Sequence, residues 1–223
     1  MRSLRWRWLM AEMLEPLARH QLVWIEPRGW RAMLFDHPPI VAPVLLDEWA
    51  DRGWPLIARA SVCCDIAGQV PLGLPLPPEH GKRRLFFECS REIIVRTTRP
   101  LRLVEAAATA PAPWRKTIAA ILALAPETRC FGSLAWEHLT GLAYLSSGSD
   151  LDLLWEIGAG DQADGLCSAL AAIAADAPLN IDGELVAPNG QAVQWREWHS
   201  GGPGLMVKTT GGVQLTWRDR LFA

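Results

Sequence analysis

The absences in this chain narrow it first. No stretch approaches the roughly 20 consecutive apolar residues that a helix needs to cross a bilayer, so no membrane span and no membrane partner are expected. The opening MRSLRWRWLMAEM interleaves Arg2, Arg5 and Arg7 with tryptophan and leucine, and has neither the clean apolar core nor the cleavage site of a secretory leader. A cytoplasmic location is the expectation. Cysteine is scarce and odd in number: five residues, two of them adjacent as Cys63-Cys64, with no C-x-x-C spacing. That pattern argues against a disulfide framework and a thiolate zinc site, and leaves buried thiols. No internal repeat or low-complexity tract occurs. Lysine is rare too, three of the 22 basic residues; arginine suits bidentate phosphate contacts, although such a bias also follows from genome composition.

What is present is apolar and aromatic. Half of the 223 residues are hydrophobic and twelve are tryptophan, enough for one large domain or two modest ones with a real core. The net charge of −2 is unevenly spread: 15 Lys and Arg face 12 Asp and Glu over residues 1–110, and 7 face 12 over residues 111–223. A cationic first half and an acidic second half suggest phosphate contacts from one and metal ligation from the other. No nucleic-acid partner is expected.

Short runs rich in Val, Ile, Leu and Phe at Leu22–Ile25, Pro55–Ala60, Gln69–Leu72, Arg84–Cys89 and Ile93–Thr97 predict strands of a mostly β domain over residues 1–105. Helices are predicted over Arg5–His20 and Leu45–Trp49. The alternating prolines of Leu72–Pro78 predict an extended connector rather than a central strand. Small residues and prolines over residues 106–115 read as a linker. Beyond it, over residues 116–223, the pattern predicts a helix at Lys116–Leu124, a strand at Arg129–Phe131, a helix at Ser133–Leu139, an acidic strand, and an alanine-rich helix at Asp164–Ala175. Two hairpins close the chain: Leu179–Val186 with Ala192–Trp198 around Pro188-Asn189-Gly190, then Leu205–Lys208 with Val213–Trp217. The fold class expected is α+β, with a mixed sheet in the second domain.

The chain turns on Phe131–Glu156. In a strand, Asp150 and Asp152 share one face while Leu151, Leu153 and Trp155 line the other, giving a wet acidic side and a dry side. Carboxylates one strand-repeat apart, about 6 to 7 Å, can hold divalent cations. Upstream, Gly132-Ser133 stands where a strand breaks into a helix, and free amides there attract phosphate oxygens. By themselves the two aspartates also fit the solvent face of an ordinary strand, and Ser133 an ordinary N-cap, without a capping box because Trp136 occupies its third helical position. Together, turn and acids favour a site. Asp182 and Glu184 alternate in the same way on a later strand, and Glu197 lies on its predicted partner. His138 and His199 carry no spacing that assigns them a role.

Gly-Ser, a helix, then Asp-Leu-Asp resembles the signature of the nucleotidyltransferase fold. More particularly, GSLAWEHLTGLAYLSSGSDLDLLW (Gly132–Trp155) is similar to malonate decarboxylase holo-acyl-carrier-protein synthases, the phosphoribosyl-dephospho-CoA transferases. WPLIAR (Trp54–Arg59), VPLGLPLPP (Val70–Pro78), GKRRL (Gly81–Leu85) and Trp195-Arg196-Glu197 extend the resemblance over most of the chain. Sixteen residues separate Ser133 from Asp150, more than the superfamily signature usually has but ordinary in this family. The resemblance implies a transferase that moves the phosphoribosyl-dephospho-CoA group from 2'-(5''-triphosphoribosyl)-3'-dephospho-CoA to a serine of the acyl carrier protein subunit of malonate decarboxylase, with Mg²⁺ and release of pyrophosphate. It implies that Asp150 and Asp152 hold the metal and that Gly132 and Ser133 hold the outer phosphates. A third catalytic acid is expected among Asp182, Glu184 and Glu197, with Asp182 first. A polyanionic donor also makes Lys82, Arg83 and Arg84 candidate phosphate contacts. The alternatives are a nucleotidyltransferase using ATP or CTP with another acceptor, and a non-catalytic binding module on the same fold.

Overall fold

The computed structural model describes residues 17–36, 41–62 and 65–222. Most of the helix expected at Arg5–His20, and the pair Cys63-Cys64, lie outside them; Cys89, Cys130 and Cys167 are buried free thiols. The described chain forms two sheets flanked by helices, an α+β fold.

The first sheet holds β1 (Leu22–Ile25), which runs into helices α1 (Pro27–Phe35) and α2 (Pro43–Asp47), then β2 (Leu56–Ala58), β3 (Val70–Pro75), β4 (Arg84–Cys89) and β5 (Ile94–Thr98). Its order is β4-β3-β2-β1-β5, antiparallel throughout. The expected connector at Leu72–Pro78 is in fact half an interior strand. Its prolines are tolerated because β2 is only three residues long and pairs with β3 at Leu72 and Gly73. Pro71 and Pro75 face that side beyond the pairing, where no ladder bond needs the missing N–H; the Pro75 carbonyl takes the Tyr144 hydroxyl at 2.9 Å instead.

The second sheet begins earlier than expected, at β6 (Leu101–Arg102). It continues through α3 (Leu103–Ala106), α4 (Arg115–Leu124), β7 (Arg129–Cys130), α5 (Gly132–Thr140), β8 (Leu151–Glu156), α6 (Gly160–Ala175), β9 (Ile181–Val186), β10 (Ala192–Gln194), α7 (Trp195–His199), β11 (Gly204–Thr209), β12 (Gly212–Trp217) and α8 (Arg218–Leu221). Strand order is β12-β11-β10-β9-β8-β7-β6, and among these pairs β8 and β9 alone run parallel, joined by α6. Residues 106–115 do not behave as a free linker: Ala106, Ala110 and Trp114 are buried in the core of this half, because small side chains let the turn lie flat against α4 and the sheet.

Period-two alternation decides the faces. Leu151, Leu153 and Trp155 of β8, with Ile181 and Leu185 of β9, join Ile118 and Ile121 of α4 and Cys167 and Leu170 of α6 in one core. A second core fills the N-terminal half, and α5 ties the two together. Leu134 and Ala135 enter the first core while Trp136 enters the second, its ring 6.2 Å from that of Trp49 and 6.1 Å from that of Tyr144. Glu137 then fixes the loop after α5, its Oε2 accepting the amides of Tyr144 and Leu145 at 2.9 and 2.8 Å.

Candidate active site

The polar face of β8 and β9 carries the acids. Asp152 and Asp182 are register partners across the parallel pair, on strands that lie about 4.8 Å apart, and point to the same side. Both are partly buried, whereas Asp150, just ahead of β8, is exposed, so this edge opens to solvent at Asp150. Burial first, then the charges of Asp182 and Asp150, push the Asp152 carboxyl up to about 7, against a smaller pull from Arg84. The first acid pair expected from sequence therefore gains a partner from the next strand. Arg84, exposed at the start of β4, is near enough to act on Asp152 and brings the N-terminal half to the site. Lys82 and Arg83 are exposed in the adjoining turn, and no hydrogen bond or ion pair among the described residues ties their side chains to the acids.

Gly132 meets the same carboxylate. Its φ is +65°, in the left-handed region, and a Cβ placed on it would fall on the Asp152 carboxylate. Asp152 thus lies against bare backbone at the first turn of α5. The N-cap of this helix is Phe131, not Ser133, and no side chain caps it. Ser133 is a first-turn residue, so the amides of Gly132 and Ser133 have no intrahelical acceptor, and the Gly132 backbone lies against Asp152.

The remaining candidates part company. Glu184, two residues beyond Asp182 on the same face, is only 4 % exposed. Its Oε2 takes Arg19 Nη1 at 3.0 Å and lies 3.5 Å from His20 Nε2, while Oε1 takes Arg19 Nη2 at 3.2 Å and Lys208 Nζ at 2.6 Å. Burial would raise its carboxyl, but His20, Arg19 and Lys208 together hold it well below the usual range. Burial lowers the His20 imidazole against the opposing pull of Glu184, and its ring lies tilted with its centroid 4.2 Å from that of Phe131. Glu184 is a structural anchor for the segment that enters β1.

Glu197 is removed by a change of secondary structure. The strand expected over Ala192–Trp198 stops at Gln194, whose Oε1 accepts the amides of Arg196 and Glu197 at 2.5 and 3.0 Å and starts α7. Trp195 and Trp198, three residues apart, are buried on one side of this short helix. On that helix Glu197 Oε1 accepts the amide of Met206 at 2.6 Å, away from Asp152. Sequence reasoning missed Arg19, His20 and Gln194; only Gln194, a polar residue at a strand end before an aromatic pair, left any local signal. His138 bonds Thr109 Oγ1 at 3.0 Å and takes no part in the site.

Among the described residues, no group of three or more His, Cys, Asp or Glu side chains could hold a metal ion alone. Two cavities of about 680 and 630 Å³ lie elsewhere: one beside Asp161, Trp198 and Trp217, the other beside Arg99, Arg129 and Trp155; neither is lined by Asp150, Asp152 or Asp182. No helix among the described residues is long and apolar enough to cross a membrane.

Comparison with known proteins shows the family. Residues 18–100 match the family model for the phosphoribosyl-dephospho-CoA transferase MdcG N-terminal domain, and residues 100–219 the model for its C-terminal domain. A protein of Bradyrhizobium diazoefficiens named phosphoribosyl-dephospho-CoA transferase is 40% identical over 212 residues, 93% of either chain. Proteins of the same name from Xanthomonas euvesicatoria pv. vesicatoria and Xanthomonas axonopodis pv. citri are 36% and 35% identical over 209 residues, 92% of this chain and 96% of theirs. No solved structure matches the chain.

Proposed function

The chain belongs to the phosphoribosyl-dephospho-CoA transferase family, and on that premise we propose that it attaches phosphoribosyl-dephospho-CoA to an acyl carrier protein of malonate decarboxylase. The donor is 2'-(5''-triphosphoribosyl)-3'-dephospho-CoA and the acceptor a carrier serine hydroxyl. The observation that carries this reading is the meeting of Asp152, Asp182 and the uncapped start of α5 at one edge.

The residues fit a magnesium ion of one kind. The described residues form no closed protein cage, but Mg²⁺ is commonly held by one or two carboxylates together with substrate phosphates and water, and Asp152 is crowded enough by other acids to gain from a cation. Asp150 and Asp152 would hold it. When bound, Mg²⁺ neutralises phosphate oxygens and eases the departure of pyrophosphate.

The chain's own groups supply the rest. Free amides of Gly132 and Ser133 donate to the outer phosphates, and the approach of backbone is close because residue 132 has no side chain. Arg84 adds positive charge from the opposite half, with Lys82 and Arg83 behind it in the turn. Asp182 accepts the proton of the serine hydroxyl as its oxygen bonds to the phosphorus nearest the ribose; the bond from that phosphorus to pyrophosphate breaks. Glu184 is unsuited to this role because three basic side chains already occupy it.

Mass spectrometry of the purified carrier after incubation with donor, protein and Mg²⁺ tests the reading. The carrier gains the mass of one phosphoribosyl-dephospho-CoA group, and pyrophosphate appears in equal amount. An unmodified carrier alongside modification of a different acceptor by ATP or CTP would replace this reading with a nucleotidyltransferase of other specificity.

A further inference from the structure

The side chain of Gln194 has its orientation fixed from both ends. Its Oε1 accepts the amides of Arg196 and Glu197, so its NH₂ must turn the other way, and there Nε2 donates to Asp182 Oδ1 at 3.0 Å. The same Oδ1 accepts the Gly183 amide at 2.8 Å. Two donors on one oxygen pin the carboxylate and leave Oδ2 with no hydrogen-bond partner among the described residues. Asp152 stands beside it on β8. Gln194 pairs in register with Glu184 and so lies on the same face of the sheet as both β9 acids.

We infer that Gln194 is a positioning residue for the transfer reaction: by capping α7 with its carbonyl oxygen it aims its amide at Asp182 and presents Oδ2 alone to the substrate hydroxyl. This rests on the proposed role of Asp182. A carboxylate free to rotate would offer either oxygen in many directions, and orientation of a reacting group is worth orders of magnitude in rate. The device also explains why strand β10 ends where it does, since one side chain both starts the helix and holds the acid.

Two substitutions separate the cap from the aim. Gln194→Glu keeps an oxygen to cap α7 but has no N–H for Asp182. Gln194→Asn is a strong capping residue whose amide is one methylene too short to reach. Steady-state transfer to the carrier is measured for both beside the parent and Asp182→Asn, with thermal melting of each protein. The expected result is a kcat at least about 10-fold lower in both Gln194 variants, with donor KM within about twofold and melting within a few degrees. A purely structural Gln194 would leave kcat within threefold in whichever of the two variants melts like the parent, and that result overturns the inference. If Asp182→Asn itself retains full kcat, the proposed role of Asp182 has failed instead; loss in Asp182→Asn with none in the Gln194 variants removes the positioning role alone.

Discussion

Asp182 and Glu184 stand two residues apart on one face of β9 and are treated in opposite ways. Glu184 is buried among Arg19, His20 and Lys208, and its charge is compensated. Asp182 has two neutral N–H donors and, as its neighbour in register, another acid. Compensation makes the first carboxylate part of the scaffold. Its absence leaves the second pair with charge to spare, which is the condition for recruiting a cation and a phosphate donor. Burial alone does not distinguish the two roles, since both carboxylates are shielded; the partners do.

The sharpest way to break this contrast is to neutralise each side. Asp152→Asn and Asp182→Asn should each lower transfer at least about 10³-fold, yet leave thermal melting unchanged or raised, because a repulsive charge has gone. Glu184→Ala should do the reverse in character: urea unfolding should show a loss of about 3 kcal/mol, since two or three basic groups are left facing each other in a buried place. If Asp152→Asn unfolds the protein and Glu184→Ala merely slows it, the assignment of roles is inverted and fails.

Smaller effects sharpen it. Gly132→Ala must push its methyl onto the Asp152 carboxylate at a positive φ, and should cost about 1–2 kcal/mol of stability while raising donor KM several-fold. The pH dependence differs in sign between the two acids. Asp152 has a folded value near 7 against an ordinary 3.8, so its favourable contribution is complete below about pH 4 and is lost as pH rises through 7. Metal-free protein should therefore be about 1–2 kcal/mol less stable at pH 8 than at pH 6, and Asp152→Asn should flatten that slope. Glu184 is held low, so its contribution is present above its ordinary value of 4.5 and is lost only as acid takes the pH down through its lowered folded value. The smallest change expected is for Arg84→Gln: an exposed charge, worth about a threefold rise in donor KM, seen in a titration of rate against donor.

Much of the scaffold could be read from residue order. Strand faces in β8 and β9 follow from the alternation of leucine and isoleucine with acids, and the turn at Gly132 from a glycine between a strand and a helix. Three departures have local causes that a linear reading underweights. Pro75 looks like a strand breaker, but the neighbouring strand is too short to need its missing N–H group. Ala192–Trp198 reads as the second strand of a hairpin, but the Gln194 cap turns the chain into a helix at Trp195. Residues 106–115 look like a spacer, but their small side chains allow close packing.

The sequence by itself determined that acids would line one side of a strand, that a glycine-led helix would precede it, and to which family the pattern is similar, because these depend on neighbours a few residues apart. Tertiary structure alone decided which acid stays uncompensated. The cations that retire Glu184 come from Arg19, 165 positions away, and Lys208, 24 positions away, and the donor that aims Asp182 comes from the next strand. Charge compensation is a property of space, and spacing along the chain does not contain it.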